Sequence, residues 1–231
     1  MKFAPLFEKI TTTANEAQLR STFMENAGEL VGATAWGFDL LDSRFQVIES
    51  DLYGLPNTFR DRYQAMGSGA DVLSQQMIRH QIPVHNLSLQ SYKDWRQSQL
   101  YQRVLLIYGM EHGMVAPLIG NGRLIGGIYF MRGEKLPAFK DSDLIQLSSL
   151  CQHLSVRLAT LRLPINSQWM DRLTPRELDI VELVAQGLSN RAISQKLYIS
   201  QDAVKQALKR IFRKIDVSAR TEMVAKLKGV V

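Results

Sequence analysis

The sequence predicts an α+β protein in two parts: an N-terminal α-β-α sandwich with an antiparallel sheet, and a C-terminal all-α domain of four helices. Two apolar segments flank Asn121-Gly122, a dipeptide that favours a hairpin turn between antiparallel strands. An amphipathic segment at 141–161 is long enough to cover such a sheet. After it come short apolar repeats that each begin with a capping residue, which predicts a bundle of short helices.

The predicted domain boundaries follow from the breaking residues and the charge. We expect a sheet domain over 1–162, a linker over 163–170 that contains Pro164, and a helical domain over 171–231. The net charge is +6 over 231 residues, and from Gln168 onward twelve Lys and Arg face seven Asp and Glu. The basic excess therefore lies mainly in the C-terminal domain, as in proteins whose attraction to phosphates is confined to one end.

In the N-terminal part, apolar spacing and turn residues predict a mixture of helices and strands. The predicted helices cover 15–31, 56–66, 71–80, 95–108 and 141–161, and the predicted strands cover 35–41, 44–52, 113–119 and 124–131. Along the last helix, apolar residues recur at spacings of three and four, forming a seam of Leu144, Leu147, Cys151, Leu154, Leu158 and Leu161. Such a seam fits a helix laid across the sheet or a dimer contact, and both interpretations stay open.

Each short C-terminal helix has a start signal. Thr174 can cap the first helix, with Pro175 in its first turn and Glu177 at its third position. Ser189 and Ser200 can cap the second and third helices. The third helix carries apolar residues on one stripe and cations on its other face, namely Lys205, Lys209, Arg210, Arg213 and Lys214. Two short helices followed by a helix with a cationic outer face predict a helix-turn-helix that enters the major groove of DNA.

Residues 173–228 resemble the LuxR-type DNA-binding domain. The resemblance is carried by Leu-Thr-Pro-Arg-Glu at 173–177, Gly-Leu-Ser-Asn at 187–190 and Ile-Phe-Arg-Lys-Ile-Asp-Val at 211–217. It implies that Lys205 and Lys209 take the base-contacting positions, where a cation meets O6 and N7 of guanine. The residues expected to hold phosphates and set the register are Arg191, Ser200, Gln201, Arg213 and Lys214.

The N-terminal part is similar to the autoinducer-binding domain of LuxR-type quorum-sensing regulators, and more loosely to PAS or GAF sensor domains. The best match runs from His112 to Phe130 and is followed by the predicted long helix. Lactone binders of that family use two Trp, a Tyr, and an Asp followed by Pro. At those positions, and at a glycine of the pattern, this chain offers Phe59, Tyr63, Asp71, Val72, Asn86 and Gly113.

These departures from the lactone-binding pattern change the chemistry. Phe59 cannot donate a hydrogen bond, so a lactone carbonyl buried beside it would stay unpaired at a cost of about 1–3 kcal/mol. Trp95 offers a replacement ring, and Asp71 can equally cap the helix that starts at Val72. We therefore expect the domain to bind a small molecule other than an ordinary acyl-homoserine lactone, or to act without a ligand. A genuine acyl-homoserine-lactone receptor is the alternative.

The sequence favours no catalytic or metal site, and no cofactor or enzyme activity is expected. Cys151 lies on the apolar face of the predicted long helix, which favours a buried core thiol over a nucleophile. The histidines do not fall at metal-ligand spacing with it; they are His80, His85, His112 and His153. The antiparallel pattern of residues 1–160 also disfavours a phosphorylated receiver domain, which needs alternating strands and helices.

The predicted function is a sequence-specific DNA-binding transcription regulator, with double-stranded DNA as its partner. The resemblance implies a homodimer that lies in the bacterial cytoplasm, at the nucleoid when it is bound to DNA. It also implies an activator that contacts RNA polymerase, although the sequence itself does not distinguish an activator from a repressor. No apolar run approaches the roughly 18 residues of a membrane span, so no membrane partner is expected. A non-catalytic protein–protein interaction module is the alternative of another class.

Overall fold

The computed structural model describes residues 2–120, 122–162 and 172–227. The N-terminal elements are α1 (Ala4–Thr12), α2 (Glu16–Val31), β1 (Ala35–Leu41), β2 (Val47–Tyr53), α3 (Asn57–Met66), α4 (Val72–His80), β3 (Val84–His85), α5 (Asn86–Leu89), α6 (Tyr92–Gln97), α7 (Gln99–Arg103), β4 (Met110–Gly120), β5 (Arg123–Gly133) and α8 (Asp141–Leu161). The C-terminal elements are α9 (Pro175–Ala185), α10 (Asn190–Lys196), α11 (Gln201–Ile215) and α12 (Arg220–Leu227). The predicted α+β class is confirmed.

Contacts along the chain divide it into two units, residues 1–40 with 49–158 and residues 41–48 with 159–231. Each unit has a buried apolar core of its own. The predicted domain boundaries stay a prediction, and the predicted linker at 163–170 lies outside the described residues.

The sheet of the N-terminal unit has five strands in the order β2-β1-β5-β4-β3. The pairs β1–β5, β5–β4 and β4–β3 are antiparallel. The hairpin predicted around Asn121-Gly122 is present, with Gly120 opposite Arg123, and both of its strands are longer than predicted. Gly122 adopts a φ of 71°, the left-handed conformation that such a turn requires.

Helices cover both faces of the sheet. On one face, the ring of Phe23 from α2 packs edge-on against Phe38 of β1 and Phe130 of β5, with centroids 5.4 and 5.9 Å apart. On the other face, α4 packs across β4. Residues that alternate along a strand point to opposite faces, so Gly37 and Asp39 lie on the face opposite to Phe38.

The long helix α8 spans the residues that the sequence predicted. Its buried side includes Leu147, Cys151, Leu154 and Leu158, so the middle of the predicted seam is used by the core of the chain itself. Burial raises the pKa of the Cys151 thiol above its ordinary range, as expected for a core thiol. The helix therefore lies against the sheet, and any dimer contact through it needs its other side.

Several further elements differ from the sequence prediction. Residues 95–108 are not one helix, because Ser98 has an extended ψ of 150° and its hydroxyl caps a new helix by accepting from the N–H of Tyr101. The second strand begins at Val47 because Phe45 adopts a left-handed φ of 60° in the preceding turn. The first helix, α1, was not predicted; it begins beside Pro5, where a missing N–H is harmless.

Within the described ranges, none of the helices is both long and apolar enough to cross a bilayer. In the same part of the chain, no cluster of three or more His, Cys, Asp or Glu side chains is arranged to hold a metal ion.

Candidate nucleic-acid interface and predicted ligand pocket

The first three helices of the C-terminal unit begin at the residues that the sequence predicted. The hydroxyl of Thr174 accepts a hydrogen bond from the N–H of Glu177 (3.2 Å), and the Glu177 carboxylate accepts one from the N–H of Thr174 (2.8 Å). Ser189 and Ser200 each accept from the N–H three residues further on, at 3.2 and 3.1 Å. These bonds pair donors that a helix start leaves open, so the local sequence fixes where each helix begins.

Most of the apolar stripe of α11 is buried. Val204, Ile211 and Ile215 belong to one core cluster with Val181 of α9 and Ile193 of α10. Burial of a Val or Ile side chain contributes roughly 1.5–3 kcal/mol, so α11 is firmly seated on its neighbours. The opposite side of α11 is therefore presented to solvent in a fixed orientation.

The outer side of α11 is cationic and exposed. Lys205, Lys209, Arg210 and Arg213 all lie at the surface. The ammonium group of Lys205 lies 3.3 Å from the carboxylate of Asp202, and both side chains are more than half exposed (59% and 86%). Such a surface ion pair contributes about 0–1 kcal/mol and does not compete seriously with a DNA phosphate or base.

Lys214 has a different setting from the other predicted phosphate contacts. Its ammonium group donates to the buried carboxylate of Glu177 (2.6 Å), and the guanidinium of Arg210 lies 3.9 Å from the same carboxylate. Burial alone would raise the pKa of Glu177, but the bonds from Lys214 and Thr174 outweigh it, so this pKa is lowered. Lys214 thus joins α11 to the start of α9, and its phosphate contact stays a prediction.

Three of the other predicted phosphate contacts lie at helix starts, whereas Arg213 is in the last turn of α11. Arg191, Ser200 and Gln201 are exposed in the first turns of α10 and α11. The Ser200 oxygen accepts the capping bond, which leaves its hydroxyl hydrogen available as a donor. Helix starts also carry partial positive charge, so these positions suit an anionic oxygen.

In the N-terminal unit, Tyr63 and Asp71 come together as part of a helix cap. The Asp71 carboxylate accepts from the N–H groups of Leu73 and Ser74 (2.9 and 3.1 Å), and from the hydroxyls of Tyr63 and Ser74 (2.6 and 2.5 Å). Burial and the neighbouring Asp71 raise the pKa of Tyr63, so its hydroxyl stays a donor. The capping role of Asp71 is confirmed, and the cap already occupies the carboxylate with four donors.

The remaining predicted pocket residues are core side chains. Phe59 is buried and its ring meets that of Tyr108 edge-on at 5.4 Å. Trp95 is 0% exposed and donates its indole N–H to the backbone oxygen of Glu111 (2.7 Å). The amide of Asn86 is also fully buried, within 3.3 Å of the Gly113 backbone. The role of these residues in binding a ligand stays a prediction.

Three glycines on the α4 side of the sheet leave space that other side chains of the chain fill. A Cβ at Gly37 would lie about 2.1 Å from the ring of Tyr129, and one at Gly113 would lie 2.8 Å from Leu73. A Cβ at Gly127 would lie 3.2 Å from the terminal methyl of Met77. A ligand on this face would therefore have to displace Tyr129, Leu73 or Met77.

Asp39 is an ionisable group on the same face that the sequence did not single out. It lies opposite Gly127 in the sheet, and its Oδ1 is buried with no hydrogen-bond partner among the residues described. Burial raises the pKa of this carboxyl to about 6, although a bond with Ser50 and the charge of Arg60 act against the rise. The signal available in the sequence was an acidic residue inside an otherwise apolar strand, Ala35–Leu41.

With this geometry in place, the C-terminal unit can be compared with known families. Residues 171–227 match the family of bacterial regulatory proteins of the luxR type. These residues form a luxR-family domain. The match covers α9 to α12 and includes both of the lysines predicted to contact bases.

Parts of the chain are also similar to transcription regulators of known sequence. The transcriptional regulatory protein ComA of Bacillus subtilis is 34% identical over 122 residues, which are 52% of this chain and 53% of ComA. The nitrate/nitrite response regulator NarL of Escherichia coli is 42% identical over 53 residues, 23% of this chain and 24% of NarL. The chain thus spans about half, or less, of the lengths of these relatives.

The fold of the whole chain also has a counterpart among solved structures. SdiA of Escherichia coli matches with a TM-score of 0.54 at 17% identity, over 98% of this chain and 96% of SdiA. At this identity the likeness shows the fold alone. It confirms the predicted fold, a sheet domain covered by helices followed by a helical C-terminal domain.

Two residues of the luxR-family domain that the sequence reading missed lie on the exposed side of α11. Asp202 and Gln206 lie four positions apart and are followed by Lys209 and Arg213 at intervals of three and four, so all four share one helix face. A glutamine amide can read adenine and a carboxylate can accept from cytosine. The helical spacing that identified the lysines also identifies these two residues, but the sequence prediction used it for cations alone.

Proposed function

We propose that this chain is a sequence-specific transcription regulator that reads duplex DNA through α11 of its luxR-family domain. The observation that carries the proposal is the exposed face of α11, where Lys205 and Lys209 project from a helix whose other side is buried. A capped helix of this kind fits the major groove, and cations on its outer side meet guanine edges. The name of ComA, a transcriptional regulatory protein, supports the same activity.

Titration of the full chain with fluorescent duplexes tests this function. One duplex carries mixed sequence, and a second is enriched from a random pool by the protein itself. We expect binding to both, with a steep fall in affinity as salt rises, and a clear preference for the enriched duplex, because phosphate contacts give affinity and base contacts give preference. If no sequence is enriched, or if the affinity does not depend on the salt concentration, a DNA-reading regulator is ruled out and a protein–protein interaction module is favoured.

The proposed working form is a homodimer in the cytoplasm, because two helix-turn-helix domains can then engage two half-sites of one operator. The surface available for this contact includes the outer side of α8, where Ile145 and Val156 are 71% and 60% exposed. Apolar side chains so placed are typical of interfaces when they form a patch. Activation of transcription and contact with RNA polymerase belong to the same proposal, and no catalytic role is proposed.

The N-terminal unit is proposed to work without an acyl-homoserine lactone bound in the family's usual mode. Phe59 offers no donor, Asp71 is occupied by its cap, and Leu73 and Met77 fill the glycine face. Solved structures of this fold differ in ligand: SdiA has been solved in complex with octanoyl-rac-glycerol, and CepR2 of Burkholderia cenocepacia is N-acylhomoserine lactone dependent. CepR2 matches with a TM-score of 0.50 at 14% identity, over 69% of this chain and 95% of CepR2.

Calorimetric titration with a panel of acyl-homoserine lactones and with octanoyl-glycerol separates the alternatives. We expect no lactone to bind with submicromolar affinity, because its carbonyl would lack a donor. Octanoyl-glycerol binding would support a sensor for another small molecule, and no binding by any compound would support a ligand-independent module. Tight binding of one lactone would restore the receptor alternative.

A further inference from the structure

Tyr198 occupies a backbone position that tyrosine rarely adopts. It lies two residues after Lys196, the last residue of α10, and has a left-handed φ of 52°. The N–H of Ile199 donates to the carbonyl of Ser194 (3.0 Å), and the N–H of Tyr198 donates to that of Gln195 (3.4 Å). This pair of bonds is the Schellman ending of a helix, whose left-handed residue is usually glycine and sometimes asparagine.

The same domain contains the glycine version of this ending. At the end of α9, Gly187 has a φ of 85°, and its N–H donates to the carbonyl of Val184 (2.9 Å). The next N–H, from Leu188, donates to the carbonyl of Leu183 (3.1 Å). The two helices therefore end in the same hydrogen-bond pattern, once with the favoured residue and once with a bulky aromatic residue. A side chain with a Cβ is strained in this conformation.

Packing does not explain why tyrosine stands at this position. The side chain of Tyr198 is 77% exposed, so its ring contributes little to the core. Within residues 172–227 and the other described parts of the chain, its hydroxyl has no hydrogen-bond partner. An exposed aromatic residue held in a strained backbone conformation points to a contact outside the chain.

The place of Tyr198 in the helix-turn-helix indicates what that contact is. Tyr198 lies two residues before Ser200, the cap of α11, and so stands at the N-terminal end of the recognition helix. In a helix-turn-helix this end lies closest to the bases, and phosphates line the groove beside it. Tyrosine hydroxyls are among the groups that donate to DNA phosphates.

We propose that Tyr198 binds DNA: its phenol hydroxyl donates a hydrogen bond to a phosphate oxygen beside the groove that α11 enters. The proposal rests on the proposed function of the luxR-family domain. Because the donor is neutral, the contact adds affinity without releasing counterions, unlike a lysine or arginine contact. Because a phosphate carries no sequence information, the contact strengthens binding to all duplexes alike.

The test compares Tyr198→Phe and Tyr198→Asn in the full chain, using the mixed and the enriched duplex at several salt concentrations. Tyr198→Phe keeps the ring and removes only the hydroxyl. We expect about tenfold weaker binding to both duplexes, which corresponds to about 1.4 kcal/mol, with the salt dependence unchanged. Tyr53→Phe, which removes an exposed hydroxyl from β2 of the other unit, is the matched control and should bind like the wild type.

Tyr198→Asn distinguishes DNA contact from a purely structural role, because the two roles predict different combinations of stability and DNA affinity. Asparagine suits the left-handed position better, so this variant should unfold at a higher temperature and yet bind both duplexes at least as weakly as Tyr198→Phe. If Tyr198→Phe binds both duplexes like the wild type, the phosphate contact is ruled out and a protein partner becomes the explanation for the exposed ring. If the wild-type chain itself binds neither duplex, the proposed function falls, and this contact falls with it.

Discussion

Replacing both Lys205 and Lys209 by alanine is expected to weaken binding to the enriched duplex by about 2–6 kcal/mol, or about 1–3 kcal/mol for each lysine. Both side chains are exposed on α11, one turn apart, where a cation can reach O6 and N7 of guanine. The loss should be larger on the enriched duplex than on the mixed one, because base contacts carry the preference. Affinities at a fixed salt concentration, measured for each single variant and for the double variant, give the result.

Arg213→Ala is the matched control for the lysine variants. Arg213 is an exposed cation two turns further along the helix and is predicted to contact a phosphate. Its loss should weaken binding to the two duplexes equally and make the salt dependence of binding shallower. An equal loss on both duplexes for Lys209→Ala would place that lysine among the phosphate contacts and contradict its base-reading role.

Lys214 would be a poor control, although the sequence placed it in the same group. Its ammonium group is bound to the buried carboxylate of Glu177, which also caps α9. Removing Lys214 therefore leaves a buried carboxylate with one donor fewer and disturbs the packing of α11 against α9. A loss of DNA binding in that variant would have two causes that cannot be separated, a lost phosphate contact and a disturbed packing of α11.

Replacing Asp39 by asparagine is expected to raise the free energy of unfolding by up to about 3 kcal/mol at neutral pH. Burial raises the pKa of this carboxyl from 3.8 to about 6, which means that the folded chain disfavours its charged form. Asparagine is similar in shape and carries no charge, so the penalty for burying the ion disappears. Denaturant unfolding of the two proteins across pH measures the difference.

The pH dependence of this difference has a definite sign. Above about pH 6 the carboxylate is charged in both states and the full penalty applies to the wild type. As the pH falls from about 6 towards 4, the folded chain takes up a proton before the unfolded chain does, so the penalty disappears. The advantage of Asp39→Asn should therefore shrink over that range. Asp61→Asn, at an exposed carboxylate of α3, should show no such trend, and an Asp39→Asn advantage that does not vary with pH would contradict the assignment.

Predictions based on the sequence succeeded where the determining interactions are local. The caps at Thr174, Ser189 and Ser200 follow from residue type and position, because each bonds to a backbone group three residues away. The hairpin at Asn121-Gly122 and the bounds of α8 have equally local causes. The cationic side of α11 could be read from helical spacing alone.

Other features depend on residues that are distant in the sequence. Nothing near Asp71 shows that the hydroxyl of Tyr63 would reach its carboxylate, and nothing near Lys214 shows that it would bind Glu177, 37 residues earlier. The filling of Gly37 and Gly113 by Tyr129 and Leu73 depends in the same way on how helices lie over the sheet. Spacing within one element gives no information about such pairs.

The sequence by itself therefore determined the fold class, the luxR-family domain and the lysines on the outer side of α11, because these depend on periodicity and on capping within one helix. Only the tertiary structure decided which predicted site residues are already engaged, that Oδ1 of Asp39 is buried and unpaired among the described residues, and that Tyr198 is exposed in a strained conformation. The physical reason is that burial and hydrogen bonding across elements arise from packing, which brings together residues that the chain keeps far apart.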